Sequence, residues 1–396
     1  MLSTDHKCRL KAIVILSDGI RGHLNQSRGI TGWLSKMTGA EILELEVPLL
    51  KNAVRLRARS EAKGLAAGNK RDARDWINKF EGESLVRQVG QWFAERNIYE
   101  GSREVLLISA GSAAAPYNLA LSYIWRCACA TVMTPSGLGT DPFDFAIVPE
   151  HDYPAPKPNV FVTLGSPNSV VKEDLVKEGE QLLADFPSAA GKKWSVLIGG
   201  DDANYSIGAA WIEKNIGLIL RSAEVEDADL YITTSRRTQP AAAEALKKLA
   251  GGTERIKYLL IAAEDPINPI PAMLGFSNEV FCTDDSVNMV SETVTGGHCV
   301  ILMRAGRKYG PKMLLQKITS WLAERDAVSP ASVWGVPKFD RVFFRFARHG
   351  ALVEFDDWIH GKRERLSYEW DEVEREKWKD FNESHRAAQW ICTNWK

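Results

Sequence analysis

Short runs of β-branched and apolar residues recur along the chain, each ending in small or polar residues and each followed by a stretch whose apolar positions return at helical spacing. That alternation predicts repeated strand and helix units. The strand-like runs fall at 12–16, 42–47, 105–108, 130–134, 145–148 and 160–163, and then at 195–198, 230–233, 258–261, 279–283 and 299–303. Strands this apolar on both faces belong in parallel sheets covered by helices on either side. At 396 residues the chain is about twice the usual domain length, so two such sheets are expected in series. The expected architecture is α/β, with two Rossmann-like, doubly wound parallel-sheet domains at 1–165 and 194–330 facing a cleft. Residues 166–193 read as a linker, because Ser166-Pro167-Asn168 and Gly191-Lys192-Lys193 bracket a charged stretch. Residues 331–396 read as a helical extension rich in tryptophan, carrying Trp358, Trp370, Trp378, Trp390 and Trp395.

Charge narrows the partners. Lys plus Arg number 50 against 51 acidic residues, a formal net charge of -1, which gives no global reason to expect nucleic-acid binding. No apolar run approaches the ~18 residues of a membrane span, and the opening apolar run at 12–16 is too short for a signal segment. The six cysteines form no CxxC pair, which fits a reduced, cytoplasmic protein without structural zinc. Residues 51–79 are different, with nine basic residues against Glu61, Asp72 and Asp75. Anionic lipid surfaces attract such segments at ~1 kcal/mol per basic residue, so peripheral contact with the inner face of a membrane is an open expectation beside a plain solvated face.

In doubly wound sheets, ligands sit beyond the carboxyl ends of the strands, where loops lead into helix N-termini. After the first strand comes Ser17-Asp18-Gly19-Ile20-Arg21-Gly22-His23. Gly19 and Gly22 suit a tight turn and close backbone approach, with Asp18 and His23 at the mouth of the cleft. A helix-start turn with incidental polar residues explains the same loop equally well. The equivalent loop of the second half carries Gly199 and Gly200. The next strand ends in Ser235-Arg236-Arg237, where planar guanidinium groups beside a helix start suit a pyrophosphate, unless one arginine pairs with an acidic neighbour. In Thr283-Asp284-Asp285-Ser286-Val287-Asn288-Met289-Val290-Ser291-Glu292, Asp285 and the serines can cap a helix and leave its amides to a phosphate, while Glu292 can accept from ribose hydroxyls.

Six segments carry a resemblance in order: LSDGIRGHLNQSRGI, LISAGSAAAP, FDFAIVPEHDYPAPKPNVFVTLGSPN, LIGGDDANY, ITTSRRT and TDDSVNMVSETVTGG. Over residues 11–325 the chain resembles the elongated-mitochondria fission proteins of plants and their bacterial relatives, which are similar to GT-B glycosyltransferases. The resemblance implies a nucleoside diphosphate against Gly199, Gly200, Arg236, Arg237, Ser286, Met289, Ser291 and Glu292, and an acceptor held by the first half. His23 then becomes the expected general base, with Asp18 orienting it or taking the role itself. Asp284 departs from the pattern, since a small residue is expected there. Its spacing of eight from Glu292 is that of the acidic pair in many retaining GT-B enzymes, which leaves the anomeric outcome open. The tail beyond about residue 340 has no counterpart in shorter relatives.

The expected activity is transfer of a sugar from a nucleotide-sugar donor to a glycolipid, lipopolysaccharide-type or polysaccharide hydroxyl. The donor is a substrate, and no cofactor or metal is called for, because arginines and helix dipoles can neutralise the leaving diphosphate. The alternative is a non-catalytic, membrane-associated binding or scaffold protein on the same fold, a choice that fold alone does not make.

Overall fold

The computed structural model describes residues 8–67, 70–265, 267–329, 333–362 and 381–395; Trp370 and Trp378 lie outside them. The chain divides into two units. The first runs to Ser169 and takes back the chain from Asn382, and the second spans Val170–Phe381.

In the first unit, β1 (Ala12–Ser17), α1 (Arg21–Thr38), β2 (Glu41–Glu46), α2 (Asn52–Ala62), α3 (Lys70–Lys79), α4 (Glu83–Glu95), β3 (Val105–Ala110), α5 (Ala115–Trp125), β4 (Ala128–Val132), β5 (Phe145–Pro149) and β6 (Val160–Thr163) follow in sequence. All six strands are parallel, in the order β2-β1-β3-β4-β5-β6. The continuous apolar run of β1 has a simple cause, since both of its faces are covered. Ile13 and Ile15 pack with Ile30 and Leu34 of α1, while Ala12, Val14 and Leu16 pack into a second cluster with Trp76 and Tyr117.

The α1 face of this sheet is completed by the end of the chain. Helix Glu383–Thr393 places Ala387, Ala388 and Ile391, all fully buried, among the β1 and α1 side chains. Ser384 Oγ donates to the Asn168 carbonyl at 2.7 Å and accepts from the Asn168 amide at 2.8 Å. Gly29 of α1 lies under this junction, where a Cβ would meet the Asn168 carbonyl oxygen at 2.1 Å. Trp390 meets Phe145 edge-on at 5.6 Å.

The second unit runs α6 (Lys172–Asp185), β7 (Lys192–Leu197), β8 (Tyr205–Ser206), α7 (Ala209–Glu226), β9 (Ala228–Thr233), α8 (Pro240–Gly251), β10 (Ile256–Leu260), α9 (Ile270–Leu274), β11 (Glu279–Thr283), α10 (Val287–Thr295), β12 (Val300–Met303), β13 (Gly306–Arg307), α11 (Pro311–Ala323), α12 (Val336–Arg348), β14 (Leu352–Glu354) and α13 (Phe355–Ile359). Its six-stranded sheet has the order β10-β9-β7-β11-β12-β14 and is parallel throughout, while β8 and β13 form a small antiparallel pair.

The C-terminal region is helical as expected, but it is not a body of its own. Residues 333–362 belong to the second unit, where β14 adds an edge strand beside β12 and Trp358 of α13 packs on Trp194 and Phe281 at 5.4 and 4.9 Å. Strand β14 escaped prediction because three residues inside a charged stretch show no periodicity.

Both sheets therefore have a reversal beside their first strand, between β1 and β3 in one and between β7 and β11 in the other. The loops at the carboxyl ends of those strand pairs are where a doubly wound sheet binds ligands.

Two stability outcomes follow from the terminal helix. Ile391→Ala removes a fully buried side chain from the first unit's core and should cost about 2–5 kcal/mol in urea unfolding. Glu383 is buried, and burial pushes its carboxyl from the ordinary 4.5 up to about 6, only partly offset by Arg386. The folded state thus holds a proton more tightly than the unfolded state between those values, so this group makes stability fall as pH rises from 4.5 to about 6 and stay level above. Glu383→Gln should flatten that slope, read from urea midpoints across the same pH range.

Candidate functional site

In the first unit, the loop after β1 turns at Gly19, whose φ of +76° favours glycine. Gly22 does not share that task; it lies in the first turn of α1 at negative φ, so its expected place in a tight turn is corrected. Asp18 is 8% exposed and accepts the Ile20 amide at 3.2 Å. Its carboxylate also takes Nδ1 of His23, at 2.9 Å to Oδ2 and 3.1 Å to Oδ1. With Nδ1–H committed to Asp18, the lone pair is on Nε2, which has no hydrogen-bond partner among the described residues. The His23 side chain remains 25% exposed.

The other side of the reversal holds the ring in place. Gly111, directly after β3, has φ +81°, and a Cβ there would meet the His23 ring at 2.5 Å. Sequence reasoning gave Gly111 no role, although ISAGSAAAP carries a glycine in the position where β3 meets the first loop. Asp18, His23 and Gly111 form one constellation at the carboxyl edge of β1 and β3.

In the second unit, the loops after β7, β9 and β11 are drawn together by Asp285, whose side chain is fully buried. It accepts the Gly200 amide at 2.9 Å, the Thr283 hydroxyl at 2.7 Å and Arg237 Nη2 at 2.8 Å. Thr283 Oγ1 in turn accepts the Gly199 amide at 2.7 Å, and Thr238 Oγ1 donates to the Gly199 carbonyl at 2.9 Å.

Several expected roles change as a result. Asp285 does not cap α10, because its oxygens serve Gly200, Thr283 and Arg237. Arg237 is the arginine that pairs with an acidic neighbour. Gly199 and Gly200 are small because their own loops fill the space: a Cβ would sit 2.0 Å from the Asp285 carboxylate at one and 2.4 Å from the Arg237 backbone at the other. Ser235 closes its own turn, its hydroxyl accepting the Arg237 amide at 3.1 Å. Ser286 does cap α10, but it does so by taking the Met289 amide at 3.4 Å, one of the donors expected to be left to a phosphate. Met289, Ser291 and Glu292 are buried within a helix that is buried along most of its length.

Arg236 is the exception. It is exposed beside the start of α8, and its side chain has no ion pair or hydrogen bond among the described residues.

Asp284 belongs to a second network. Its fully buried carboxylate accepts the Ala305 amide at 2.8 Å, Arg307 at 2.9 Å and Arg304 at 3.2 Å; Arg304 also reaches Glu354 at 2.6 Å and Asp340 at 2.7 Å. Burial pushes the Asp284 carboxyl above its usual range despite the two arginines. These arginines directly follow β12, as Arg304-Ala305-Gly306-Arg307.

No helix among the described residues is long and apolar enough to cross a membrane, and no group of His, Cys, Asp or Glu among them is arranged to hold a metal ion.

A family model described as mitochondrial fission ELM1 matches residues 21–395, so the family match extends through the tail for which no counterpart was expected. The chain belongs to the mitochondrial fission ELM1 family. Among curated proteins no sequence match is found. Among solved structures, the chain is similar to a UDP-GlcNAc 2-epimerase from Methanocaldococcus jannaschii, at 14% identity and TM-score 0.49 over 96% of this chain and 98% of that one. A UDP-GlcNAc 2-epimerase from Neisseria meningitidis gives 12% and 0.47, over 97% and 99% of the two chains. A UDP-glucosyltransferase from Polygonum tinctorium gives 11% and 0.47, over 98% and 99%. At such identity the likeness says nothing about substrate.

Asp285→Ala should leave an amide, a hydroxyl and Arg237 without their common partner and cost about 3–5 kcal/mol of stability in urea unfolding. Arg236→Ala, on an exposed and unpaired side chain, should stay within about 0.5 kcal/mol of the native protein.

Proposed function

We propose that this ELM1-family protein transfers a sugar from a nucleotide-sugar donor to a hydroxyl acceptor. The observation that carries the reading is the Asp18–His23 pair at the β1/β3 reversal. The carboxylate fixes the ring by its Nδ1–H and leaves Nε2 as a base. In the transfer, Nε2 takes the acceptor's hydroxyl proton as the oxygen bonds to the anomeric carbon. The bond from that carbon to the diphosphate breaks, and the electron pair leaves with the diphosphate. Asp18 stabilises the imidazolium that forms.

The donor is assigned to the carboxyl edge of the second sheet. Support comes from the reversal at β7 and β11, from the α8 and α10 helix starts nearby and from Arg236, whose five donors are uncommitted. Arg237 and Asp285 serve this site by holding its three loops in register. Glycolipid, lipopolysaccharide-type and polysaccharide acceptors all present the hydroxyl that the reaction needs. The basic excess on α2 and α3 favours an acceptor at an anionic membrane surface, with the protein attached peripherally from the cytoplasmic side.

A thermal-shift screen of uridine, cytidine, guanosine and adenosine diphosphates and their sugars tests the donor reading, since a ligand of the folded state raises the melting temperature by mass action. At least one should respond, and Arg236→Ala should weaken that response by about tenfold or more. His23→Ala should preserve it while lowering turnover by about 10²–10⁴-fold. Donor binding without sugar transfer to any acceptor would instead mark a binding protein.

A further inference from the structure

Beside Asp18 the first unit contains a cavity of about 230 Å³, bounded by the loop after β2, by α2 and α3, and by the start of α5. Leu50, Trp76 and Pro116 give it apolar walls, and Arg55 and Arg59 line it from α2. Its lip includes Leu49, which is 85% exposed.

The two arginines are unusual for a lined cavity. Arg55 bonds only the Asn52 side-chain oxygen, at 2.7 Å, and neither guanidinium has a carboxylate partner among the described residues. On the same segment Arg57 and Lys79 do have a carboxylate partner, sharing Glu61 at 2.8 and 2.6 Å. Arg59 Nε is buried and has no hydrogen-bond acceptor. A buried donor on a cation is costly to leave unmade, and the partner that satisfies it best is an anion with paired oxygens. Volume argues the same way. A space of this size takes one head group, not a whole ligand, so the rest must run out over the exposed Leu49.

We infer that this cavity binds the anionic head of an amphiphile, a phosphate carried on an apolar chain, with Arg55 and Arg59 on the phosphate oxygens and Leu49, Leu50 and Trp76 on the first carbons of the chain. The inference rests on the proposed transferase reading and deepens it by giving the acceptor a chemical class, an amphiphile that carries this phosphate besides the hydroxyl that reacts. Asp18 lines the cavity and holds His23, so the head group is bound beside the carboxylate that orients the proposed base. A free phosphate shares the head-group chemistry but lacks the chain.

The test is calorimetric titration of the full chain with octyl phosphate, octanol and inorganic phosphate, each in parallel with the best nucleotide from the thermal-shift screen. Octyl phosphate should bind at least about tenfold more tightly than either fragment, and Arg59→Ala and the exposed-site variant Arg55→Ala should each weaken it by about tenfold. Arg59→Lys should recover only part of the loss, since an ammonium lacks the planar fork. Octanol binding as tightly as octyl phosphate overturns the role of the arginines, inorganic phosphate binding as tightly overturns the role of the apolar wall, and indifference to both arginine substitutions overturns the site. Absence of octyl phosphate binding in a protein that still binds nucleotide removes this inference alone. Octyl phosphate binding without any nucleotide response leaves the cavity and removes the transferase reading.

Discussion

A first strand with parallel neighbours on both sides is the constraint behind both units. Such a strand has each face covered by helices and each edge paired, so its side chains are mostly apolar and it can present polar groups to a ligand only at its ends. In β1 every residue from Ala12 to Leu16 is buried, and the first polar groups able to act are Ser17 and Asp18. In β7 the same limit is reached at Gly199 and Gly200. What chemistry the units have is gathered at these two edges by topology before any side chain is chosen.

The two edges then use carboxylates in opposite ways. Asp18 has one side-chain partner among the described residues, His23, which is itself partly exposed, and the arrangement leaves a ring nitrogen uncommitted. Asp285 and Asp284 are fully buried, and each spends its oxygens on several donors of the protein. A buried carboxylate carries a desolvation cost that its partners offset, and removing it leaves those partners unpaired, so it is expensive to break, which suits a part whose task is to fix loops. Removing charge from the two edges is therefore expected to read out differently, as lost chemistry at one and lost stability at the other.

This difference also explains what could be read from the chain alone. Strand and helix succession was legible because burial on both faces writes unbroken apolar runs, and the carboxyl-edge loops followed from it. Individual roles at the second edge were not. Gly199, Gly200, Arg237 and Asp285 have the composition of an anion site, yet they recognise one another, and neither spacing nor residue type distinguishes a guanidinium awaiting phosphate from one already paired with an aspartate 48 positions later. Arg236 and Arg237 are adjacent and chemically identical, and only the fold separates the committed one from the uncommitted one. The dyad of Asp18 and His23 was legible because its partners are five residues apart, within a single turn and helix start. Gly111 and the Arg59 donor were not, since each owes its significance to a distant segment.

The division of the chain adds a further consequence. Since the first unit takes back residues 382–395 after the whole of the second has intervened, the α1 face bearing Ile30 and Leu34 cannot be fully covered until the last residues have been made. Ser384 closes on Asn168 across 216 positions, a separation at which loop closure must precede any gain from the contact. The second unit also has a long closure, since Trp358 packs on Trp194, but the binding together of its β7, β9 and β11 loops by Asp285 spans at most 85 positions. During synthesis the loops after β7, β9 and β11 can therefore be tied together while the first unit still exposes an apolar helix face. The small residues Gly29, Ala387 and Ala388 at that late junction fit this order, because a helix that docks last onto a finished surface is seated most readily where no bulky side chain must first be displaced.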